Sequence, residues 1–341
     1  MPFEPTERLP LGRTGLRVTR LGFGGASIGG LFAAVTDEDA IATVERAWDL
    51  GIRTFDVAPL YGFGAAERRM GAALAGRPRD EFVLETKVGR LVRSLDDIPA
   101  GADVDDQDAN YARTEPVGIV FDYSADGVRR SIEDSLERLG LDRVDIALIH
   151  DPDRHWAAAI GEAYPALARL RDEGVIRAIG AGMNQSAMLA RFAREGDFDV
   201  FLLAGRYTLL DQDALTELLP RCLERDIAIL VGGVMNSGVL ADPRPGSRFD
   251  YRPAPDAVVD RARRLAAVCE RHDVPLRAAA IQFPLAHPAV RSLIAGVRRI
   301  DHLDEYPVLM RRPIPADLWA ELRSEGLIPD EAPVPDEARV P

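Results

Sequence analysis

The sequence predicts an α/β protein built as an eight-stranded parallel β/α (TIM) barrel with an N-terminal β-hairpin. Eight short apolar runs alternate with stretches in which apolar residues recur at helical spacing, and this alternation indicates a parallel sheet. The runs are almost continuously apolar, so both faces of each strand should be buried. Eight such units in 341 residues favour a closed barrel over an open, doubly wound sheet.

The elements can be placed in order along the chain. Residues 9–22, "LPLGRTGLRVTRLG", predict a small hairpin with a glycine-containing turn ahead of the first barrel strand. The predicted strands are "VTRLGFG", "IRTFDVA", "FVLETKV", "VDIALIH", "IRAIGAG", "DVFLLAG", "IAILVGG" and "VRSLIAG". The predicted helices include "DEDAIATVERAWDLG", "AAERRMGAALAG", "SADGVRRSIEDSLERLG", "AAIGEAYPALARLRDEG" and "APDAVVDRARRLAAVCERH". Several of them begin at Ser or Asp and stop at Gly, as capped helices do.

Two segments interrupt this rhythm. Residues 90–122, between the third strand and the third helix, and residues 242–255, after the seventh strand, are predicted as long loops. Long ordered loops are commonly functional, and we expect the first one to help set substrate specificity. The tail from residue 329 onward is predicted to be irregular. No linker is visible, so residues 1–341 are predicted to form one domain.

The bulk composition restricts the partners. A formal net charge of −13 argues against binding to nucleic acid or to an anionic membrane, because both require a basic surface. No apolar run is long enough to cross a bilayer, and the first residues lack the apolar core of a secretory signal. We therefore expect a cytoplasmic enzyme of small molecules. The sequence leaves open whether the chain forms a homo-oligomer.

Lys87 is the only lysine among 42 basic residues, all the others being arginine. It lies at the end of "EFVLETKVG", which is predicted to be a buried strand and is an unusual place for a charge. A compact ammonium can shift its pKa and sit beside a second titrating group, which a planar guanidinium does less well. An ordinary surface lysine is the alternative. The buried context favours a chemical role.

Three further polar residues fall at or just after strand ends on the same predicted rim: Asp56 and Tyr61 follow strand two, and His150 ends strand four. Active sites of β/α barrels lie at this rim. Singly, these residues are typical of a helix cap, a packing residue and a core histidine. Together, an Asp–Lys pair is expected to lower the pKa of the neighbouring Tyr61, and a neutral His150 to orient the reacting oxygen. Such a site suits interconversion of a carbonyl and an alcohol, with hydride from a cofactor.

These motifs resemble the aldo-keto reductase family over essentially the whole chain. "GIRTFDVAPLYGFGAAERRMGAAL" is similar to the family's Asp-to-Tyr signature, "VLETKVG" to its lysine strand, and "RRSIEDSLERLGLDRVDIALIHDPD" to the helix and strand that lead to its histidine. The resemblance implies that Asp56, Tyr61, Lys87 and His150 are the catalytic tetrad and that Tyr61 is the general acid/base.

"FDYSADGVRRS", "LLAGRYTLLDQ" and "GGVMNSGVL" resemble more narrowly the NAD-linked sugar dehydrogenases of that family, the L-fucose and D-threo-aldose 1-dehydrogenases, with pyridoxal 4-dehydrogenase as a relative. This resemblance implies oxidation of the anomeric hydroxyl of a free aldose to a lactone. Pyridoxal oxidation and general carbonyl reduction remain alternatives. Besides Tyr61 and His150, the implied substrate contacts are His155 and Trp156.

The resemblance also implies a set of cofactor contacts. They are Gly25, Ala26, Asp56, Met183, Asn184, Tyr207, Gly232, Gly233, Asn236, Ser237, Gly238, Leu240, Gly296, Arg298, His302 and Glu305. Two departures from the family pattern affect this site. Met183–Asn184 replaces a Ser–Asn pair, and Gly232–Gly233 replaces an aromatic residue that stacks on nicotinamide, a loss for which Tyr207 is expected to compensate.

The choice between NAD and NADP depends on the segment after strand eight, "IAGVRRIDHLDE". In NADPH-preferring relatives this region carries cations around the 2′-phosphate, whereas Gly296, Val297 and His302 occupy the matching positions here. Acidic residues close by, Asp301 and Asp304, should disfavour a phosphate and suit a ribose hydroxyl. Arg298 and Arg299 can still supply charge, so NAD is favoured over NADP without excluding it.

Two other classes of protein remain. "HDPDRH" places His150, Asp151, Asp153 and His155 within six residues, which suggests a metal-dependent hydrolase, but the first strand carries no H-x-H and Lys87 would have no role. We therefore predict no metal site. The other class is a barrel that binds nicotinamide as a sensor without catalysing a reaction.

Overall fold

The computed structural model describes residues 3–105, 110–111 and 115–335. Eight parallel strands close into a barrel, which confirms the fold predicted from the sequence. The strands run in chain order around the barrel, and the eighth pairs with the first. They are β1 Leu21–Gly24, β2 Thr54–Asp56, β3 Val83–Val88, β4 Ile146–His150, β5 Ala178–Met183, β6 Val200–Ala204, β7 Ala228–Gly232 and β8 Val290–Ala295.

Helices surround the barrel and bury their apolar faces against it. The longer ones are α1 Asp37–Asp49, α2 Ala65–Leu74, α3 Ala125–Leu139, α4 Tyr164–Asp172, α5 Ser186–Glu195, α6 Leu218–Glu224, α7 Asp256–Arg271, α8 Leu276–Leu285, α9 Ile300–Arg311 and α10 Ala316–Ser324. A short α-helical turn, Trp156–Ala158, and a π-helical turn, Ala159–Ala163, lead into α4, and 3-10 turns lie at Arg79–Glu81, Leu95–Asp97, Asp213–Leu215 and Asn236–Gly238.

Polar caps fix the start of two of these helices, as the sequence indicates. The Thr36 hydroxyl accepts the backbone N–H of Asp39 at the start of α1, and the Ser124 hydroxyl accepts that of Gly127 at the start of α3. Helix α3 ends at Gly140, whose φ of 62° is the left-handed conformation that glycine adopts without strain. None of the helices within the described ranges is both long and apolar enough to span a membrane.

The N-terminal hairpin is confirmed as Arg8–Pro10 paired antiparallel with Arg17–Thr19. Its apolar residues Leu11, Leu16 and Val18 pack with inward-facing strand residues such as Ile146 and Val200. The hairpin therefore closes the N-terminal end of the barrel. This leaves the opposite end, where the strands finish, for a site.

The two segments predicted as long loops contain secondary structure. In the first, Arg90–Ser94 pairs antiparallel with Val117–Phe121. In the second, Arg248–Phe249 pairs with Arg252–Pro253 around a turn in which Asp250 and Tyr251 have φ of 47° and 63°. The sequence prediction missed both because each run is short, and in the first segment its partner lies more than 20 residues away.

Candidate active site

Three neighbouring strands place the predicted catalytic side chains together. Asp56 ends β2, Lys87 lies near the end of β3, and His150 ends β4, while Tyr61 follows β2 by one turn. Thr86 donates a hydrogen bond at 2.9 Å to Glu67 of α2, so it faces outward. Because side chains alternate along a strand, Glu85 and Lys87 face the barrel interior. The strand ends therefore bring all the predicted catalytic residues to one rim.

We call Lys87, Asp56 and Glu85 the lysine cluster. Lys87 is 1% exposed; its Nζ forms an ion pair with Asp56 Oδ1 and donates a hydrogen bond at 3.1 Å to the Val57 carbonyl. Glu85 is opposite Asp56 in the strand register and is fully buried. No side chain or backbone N–H within the described ranges donates to its carboxyl oxygens.

Two carboxyls and one ammonium in a sealed site cannot all stay charged, because an unpaired buried charge is too costly. Burial raises the pKa of Glu85 well above its ordinary value, and the charge of Asp56 adds to the rise. Burial also raises the pKa of Asp56, but Lys87 opposes that rise. We assign the extra proton to Glu85, which then donates a hydrogen bond to Asp56 and leaves the Asp56–Lys87 pair ionised.

Tyr61 lies above the lysine cluster. Lys87 Nζ is 4.6 Å from the centre of its ring, and the ring of His150 is perpendicular to it at 5.8 Å. The expected lowering of the Tyr61 pKa does not agree with these surroundings: burial raises the pKa well above its ordinary value, and Asp56 adds to the rise. Burial of the phenol is the largest cause, and the nearby ammonium of Lys87, which is paired with Asp56, does not outweigh it. Tyr61 is therefore a neutral phenol at rest.

His150 is neutral at ordinary pH, as expected. Burial, with the nearby charges of Arg90 and Lys87, lowers its pKa well below the usual value. Its side chain is 5% exposed, and Nε2 lies 3.6 Å from Asp151 Oδ2. A neutral imidazole beside Tyr61 can donate one hydrogen bond to a reacting oxygen.

A second charged group lies beside His150, and we call Arg90, Asp105 and Asp151 the arginine cluster. Arg90 Nε is 2.9 Å from Asp105 Oδ2, and Arg90 Nη1 is 3.4 Å from Asp151 Oδ2. The guanidinium side chain is only 2% exposed. Burial disfavours its charge, but Asp151 and Asp105 outweigh that effect and raise the pKa of Arg90.

Two connected spaces open onto Tyr61. A small pocket of about 60 Å³ is lined by the catalytic side chains and by polar neighbours, among them Tyr61, Lys87, His150, Asp151 and Asn184. A larger cavity of about 460 Å³ runs from Asp56 and Tyr61 to the segment after β8. Leu31, Tyr61, Leu202, Ala204 and Tyr251 line both. Among the four predicted catalytic residues, Tyr61 lines both spaces, Lys87 and His150 line the small pocket, and Asp56 lines the larger cavity.

Most of the residues expected to contact a cofactor line these spaces. They are Ala26, Asp56, Gly232, Gly233, Ser237, Gly238, Gly296, Arg298 and His302 in the larger cavity, with Met183 and Asn184 in the small pocket. Their shared property is position: each follows or ends a barrel strand at the same rim. The structure thus places these residues around the two spaces, and their contact with a cofactor stays a prediction.

The other five residues expected to contact a cofactor line neither space. The backbone N–H of Gly25 donates at 2.7 Å to the Asp56 carbonyl, and Leu240 is a fully buried core residue. Asn236 accepts from the Thr208 hydroxyl at 2.7 Å and donates to the Gly205 carbonyl at 3.1 Å. Glu305 forms an ion pair with Arg277, which itself lines the cavity.

Tyr207 is the fifth, and its position disagrees with the expected stacking on nicotinamide. Its ring is 1% exposed and packs 5.5 Å from both Phe283 and His287, between the barrel and α8. The sequence reasoning placed it near the cavity because it follows β6, but the chain turns away after Gly205, whose φ is 72°.

The expected substrate residues His155 and Trp156 also lie outside both spaces. His155 packs on Phe121 and Tyr123 with ring centres 4.7 and 5.1 Å away. Trp156 packs on Phe192 at 4.5 Å and lies under the guanidinium of Arg191. Their nearness to His150 in sequence was misleading, because the helical turn that starts after His155 carries them toward the outer layer.

The sequence reasoning missed several residues that line the site. Tyr111, from the first loop, stacks on Tyr61 at 6.0 Å, and Tyr251, from the second loop, packs on Phe32 at 5.9 Å. Asp151, Leu31 and Arg277 are further examples. The aromatic residues had a signal, since each is a lone tyrosine in a long loop after a strand.

No group of His, Cys, Asp and Glu suited to a metal ion occurs within the described ranges. The residues that suggested one are engaged elsewhere. Asp151 pairs with Arg90, Asp153 accepts a hydrogen bond from Gln185, and His155 Nε2 is 3.3 Å from Asp103 Oδ2.

A barrel with a buried Asp–Lys pair beside a tyrosine and a neutral histidine is typical of oxidoreductases that interconvert carbonyls and alcohols. The model of the aldo/keto reductase family matches residues 20–325. The chain belongs to the aldo/keto reductase family, and it is an NAD(P)-dependent oxidoreductase that acts on small molecules.

The chain is similar to individual enzymes and to a solved structure of this family. The chain is 47% identical over 319 residues to a D-threo-aldose 1-dehydrogenase from a Pseudomonas species, covering 92% of this chain and 96% of that one. It is 43% identical over 342 residues to a pyridoxal 4-dehydrogenase from Microbacterium luteolum, covering 96% and 100%. Among solved structures, the holo form of an aldo-keto reductase from Bacillus halodurans matches with a TM-score of 0.71 and 25% identity, covering 98% and 99%.

Proposed function

We propose that this protein oxidises the anomeric hydroxyl of a free aldose of the L-fucose or D-threo-aldose type to a lactone, with NAD as the favoured cofactor and residues 1–341 as one catalytic domain. The convergence of His150 and the Lys87–Asp56 pair on Tyr61, which lines both spaces, carries the reaction type. The substrate class is supported by the name of the relative that is 47% identical.

The lining of the larger cavity supports a dinucleotide as its ligand. Glycines line it where a side chain would take up space: a Cβ on Gly232 would meet its nearest atoms at 3.7 and 4.0 Å, and one on Gly296 would meet Ser27 Oγ at 3.6 Å. These methyl groups would clash with nothing, so their absence leaves room for a ligand. Arg298 and His302 line the far end, where a phosphate or ribose would lie.

Nicotinamide supplies the hydride chemistry that no side chain carries. In the oxidative direction, Tyr61 takes the proton of the anomeric hydroxyl, and the hydride of the anomeric carbon would pass to bound NAD, so that the carbon–oxygen double bond of the lactone forms. His150 donates a hydrogen bond that orients the same oxygen. Lys87 is held by Asp56 and the Val57 carbonyl, and its Nζ lies 4.6 Å from the centre of the Tyr61 ring. Tyr61 must be a phenolate before it can accept a proton, and the ammonium of Lys87 stabilises that phenolate.

The structure adds two facts that bear on the cofactor. The acidic residues expected to repel a phosphate are paired with arginines, Asp301 with Arg299 and Asp304 with Arg46. Arg298 lines the cavity and has no ion pair within the described ranges. NAD stays the expected preference because Gly296 and Val297 offer no cation. The ratio of kcat/KM with NAD to that with NADP measures this, and comparable values would contradict the preference.

The test of the function is to mix purified protein with NAD and a panel of free aldoses plus pyridoxal, and to follow the absorbance of reduced nicotinamide. We expect a signal with L-fucose-like or D-threo sugars, formation of the lactone, and a loss of about 10²-fold to 10⁴-fold in kcat for Tyr61→Phe. Turnover that Tyr61→Phe leaves intact would contradict the role of Tyr61.

Pyridoxal 4-dehydrogenase activity is the second candidate, supported by the relative that is 43% identical. Turnover of pyridoxal without turnover of any aldose would favour it. Binding of NAD with no turnover of any carbonyl or alcohol, in the wild type as in Tyr61→Phe, would instead indicate the nicotinamide-binding sensor.

A further inference from the structure

Asp151 is a half-buried carboxylate that the proposed mechanism does not use. It directly follows β4 and lines the small pocket together with Tyr61 and His150. Its side chain is 15% exposed. A carboxylate beside a reacting centre is costly unless it is paired or meets a ligand.

The backbone holds Asp151 in an uncommon conformation. Its φ of 37° is in the left-handed region that residues other than glycine rarely adopt. Its N–H donates at 3.1 Å to the Gly182 carbonyl, and the Tyr123 hydroxyl donates to the carbonyls of His150 and Asp151 at 2.6 and 3.2 Å. Gly89 makes this possible, because a Cβ there would lie 2.1 Å from the Tyr123 ring. Backbone strain of this kind is typical of functional sites.

The Asp151 carboxylate contacts its neighbours through one of its two oxygens. Within the described ranges, its side-chain contacts all involve Oδ2, which is 3.4 Å from Arg90 Nη1 and 3.6 Å from His150 Nε2. Arg90 is shared with Asp105, so two carboxylates face one guanidinium. Oδ1 is left to accept a hydrogen bond from a ligand.

We propose that Asp151 accepts a hydrogen bond from the hydroxyl on the carbon next to the reacting carbon, and so selects aldoses and 2-hydroxy aldehydes. Adjacent hydroxyl oxygens of a sugar lie about one hydrogen-bond length apart. A substrate whose reacting oxygen contacts Tyr61 and His150 therefore brings its neighbouring oxygen to Asp151. This inference rests on the proposed function, because it names a substrate feature read by the same site.

The charges of the arginine cluster also indicate which kind of ligand group Asp151 would bind. Two carboxylates and one guanidinium favour a neutral hydrogen-bond donor over an anionic group. The charged groups that act on Asp151 are Arg90, Asp105, Asp153 and Lys87. The neutral titratable groups near it are His150, Tyr61, Tyr123 and Tyr251. Burial raises the pKa of Asp151 to about 6 despite the opposing charge of Arg90. The acceptor should therefore be charged above that pH and neutral below it.

The test compares two variants with the wild type. Asp151→Gly removes the acceptor and suits the positive φ, whereas Asp151→Asn keeps a neutral acceptor of the same shape. The measurement is the ratio of kcat/KM for an aldose to that for its 2-deoxy analogue, with NAD. We expect this ratio to fall about 10-fold to 100-fold in Asp151→Gly and less in Asp151→Asn. Asp153→Asn, two residues away and outside both spaces, is the control. It removes a charge that raises the pKa of Asp151 but leaves the acceptor in place, so it should keep the wild-type ratio at pH values well above that pKa.

A pH series gives a readout that a structural role would not produce. The wild-type ratio should rise as pH increases through about 6. In Asp151→Gly it should stay flat. A folded Asp151→Gly that keeps both the wild-type ratio and its pH dependence would overturn the inference.

Measuring the reduction of aldehydes distinguishes a failure of this inference from a failure of the proposed function. Lactaldehyde (2-hydroxypropanal) and propanal, both tested with reduced nicotinamide, differ only in the hydroxyl next to the carbonyl. If the wild type oxidises no aldose but prefers lactaldehyde, and Asp151→Gly loses that preference, the proposed aldose oxidation fails and the role of Asp151 stands. A wild type with no preference for the hydroxylated member in either direction, or with no turnover, overturns the role of Asp151.

Discussion

The lysine cluster and the arginine cluster have the same composition, one cation and two carboxyls, yet the structure uses them differently. The lysine cluster is sealed beneath Tyr61 by strands β2 and β3, and Glu85 in it is completely buried. The arginine cluster is built from β4, the first loop and its hairpin, and Asp151 in it keeps access to the small pocket.

The difference follows from the shapes of the two cations. The ammonium of Lys87 is compact and satisfies one carboxylate and one carbonyl, so the second carboxyl, Glu85, is left to hold a proton. The guanidinium of Arg90 is a planar fork that reaches two carboxylates at once. A lysine therefore suits the site that handles a proton, and an arginine suits the site that holds a fixed charge.

Exchanging the two cations tests this comparison and carries the largest expected effect. Lys87→Arg puts a larger, planar group into a sealed site and should lower kcat by about 10²-fold to 10⁴-fold by displacing Tyr61 or Asp56. Arg90→Lys should retain much more of kcat, because Arg90 does not contact the reacting atoms in our scheme. Steady-state kinetics on the same aldose provide the measurement.

The reverse order of the two effects would break the comparison. Circular dichroism on both variants is the control for folding. Arg90→Lys should also lower the free energy of unfolding by about 1–3 kcal/mol, because one carboxylate of the arginine cluster loses its charged partner.

The proton assigned to Glu85 gives a stability prediction with a matched control. Glu67 is as buried as Glu85, but its carboxylate pairs with Arg138 and accepts from Thr86. Glu67→Gln should therefore lower the free energy of unfolding by about 3 kcal/mol, since it breaks a buried ion pair. Glu85→Gln replaces a neutral acid by a neutral amide and should cost much less at low pH.

The raised pKa of Glu85 also predicts how the free energy of unfolding changes with pH. Because the folded pKa of Glu85 is raised above the ordinary 4.5, the folded state holds the extra proton and loses stability as pH rises above that value. Relative to the wild type, Glu85→Gln should thus gain stability with rising pH. Infrared spectra should show a protonated-carboxyl band in the wild type that persists in Glu67→Gln. A band unchanged in Glu85→Gln would refute the assignment.

The raised pKa of Tyr61 predicts opposite pH dependences for the two directions of reaction. Below its pKa, Tyr61 is a phenol that can donate a proton in reduction but cannot accept one in oxidation. Oxidative kcat/KM should therefore rise with pH, by up to about 10-fold per pH unit, whereas the reductive value should not. If Lys87→Met leaves the oxidative profile unchanged, the lysine cluster does not control Tyr61.

The smallest effect is expected far from both clusters, at Arg298. Because it lines the cavity without an ion pair within the described ranges, it is the cation available to a phosphate of the cofactor. Arg298→Ala should lower kcat/KM with NADP more than with NAD, by a factor of about 3–10. An equal loss with both cofactors would place Arg298 at the shared pyrophosphate instead. Arg299→Ala is the control, because Arg299 is exposed and paired with Asp301.

Sequence reasoning succeeded where the signal was local and periodic. Each of the eight apolar runs became a barrel strand within a few residues of its expected limits. Strand ends in a parallel barrel share one rim, and for that reason Asp56, Lys87 and His150 could be expected to meet. It failed for Tyr207 and Trp156, because the direction taken by a chain after a strand depends on turn geometry that periodicity does not encode.

By itself, the sequence determined the barrel, its N-terminal hairpin and the position of a lone lysine at the end of a buried strand. These follow from hydrophobic patterning, which is a property of neighbouring residues. Only the tertiary structure decided that Glu85 is buried beside the Asp56–Lys87 pair, where its pKa is raised, that Arg90 is shared by Asp105 and Asp151, and that the two loops bring Tyr111 and Tyr251 to the site. The reason is that burial and charge pairing depend on residues far apart in the chain, and both pKa and specificity depend on burial and charge pairing.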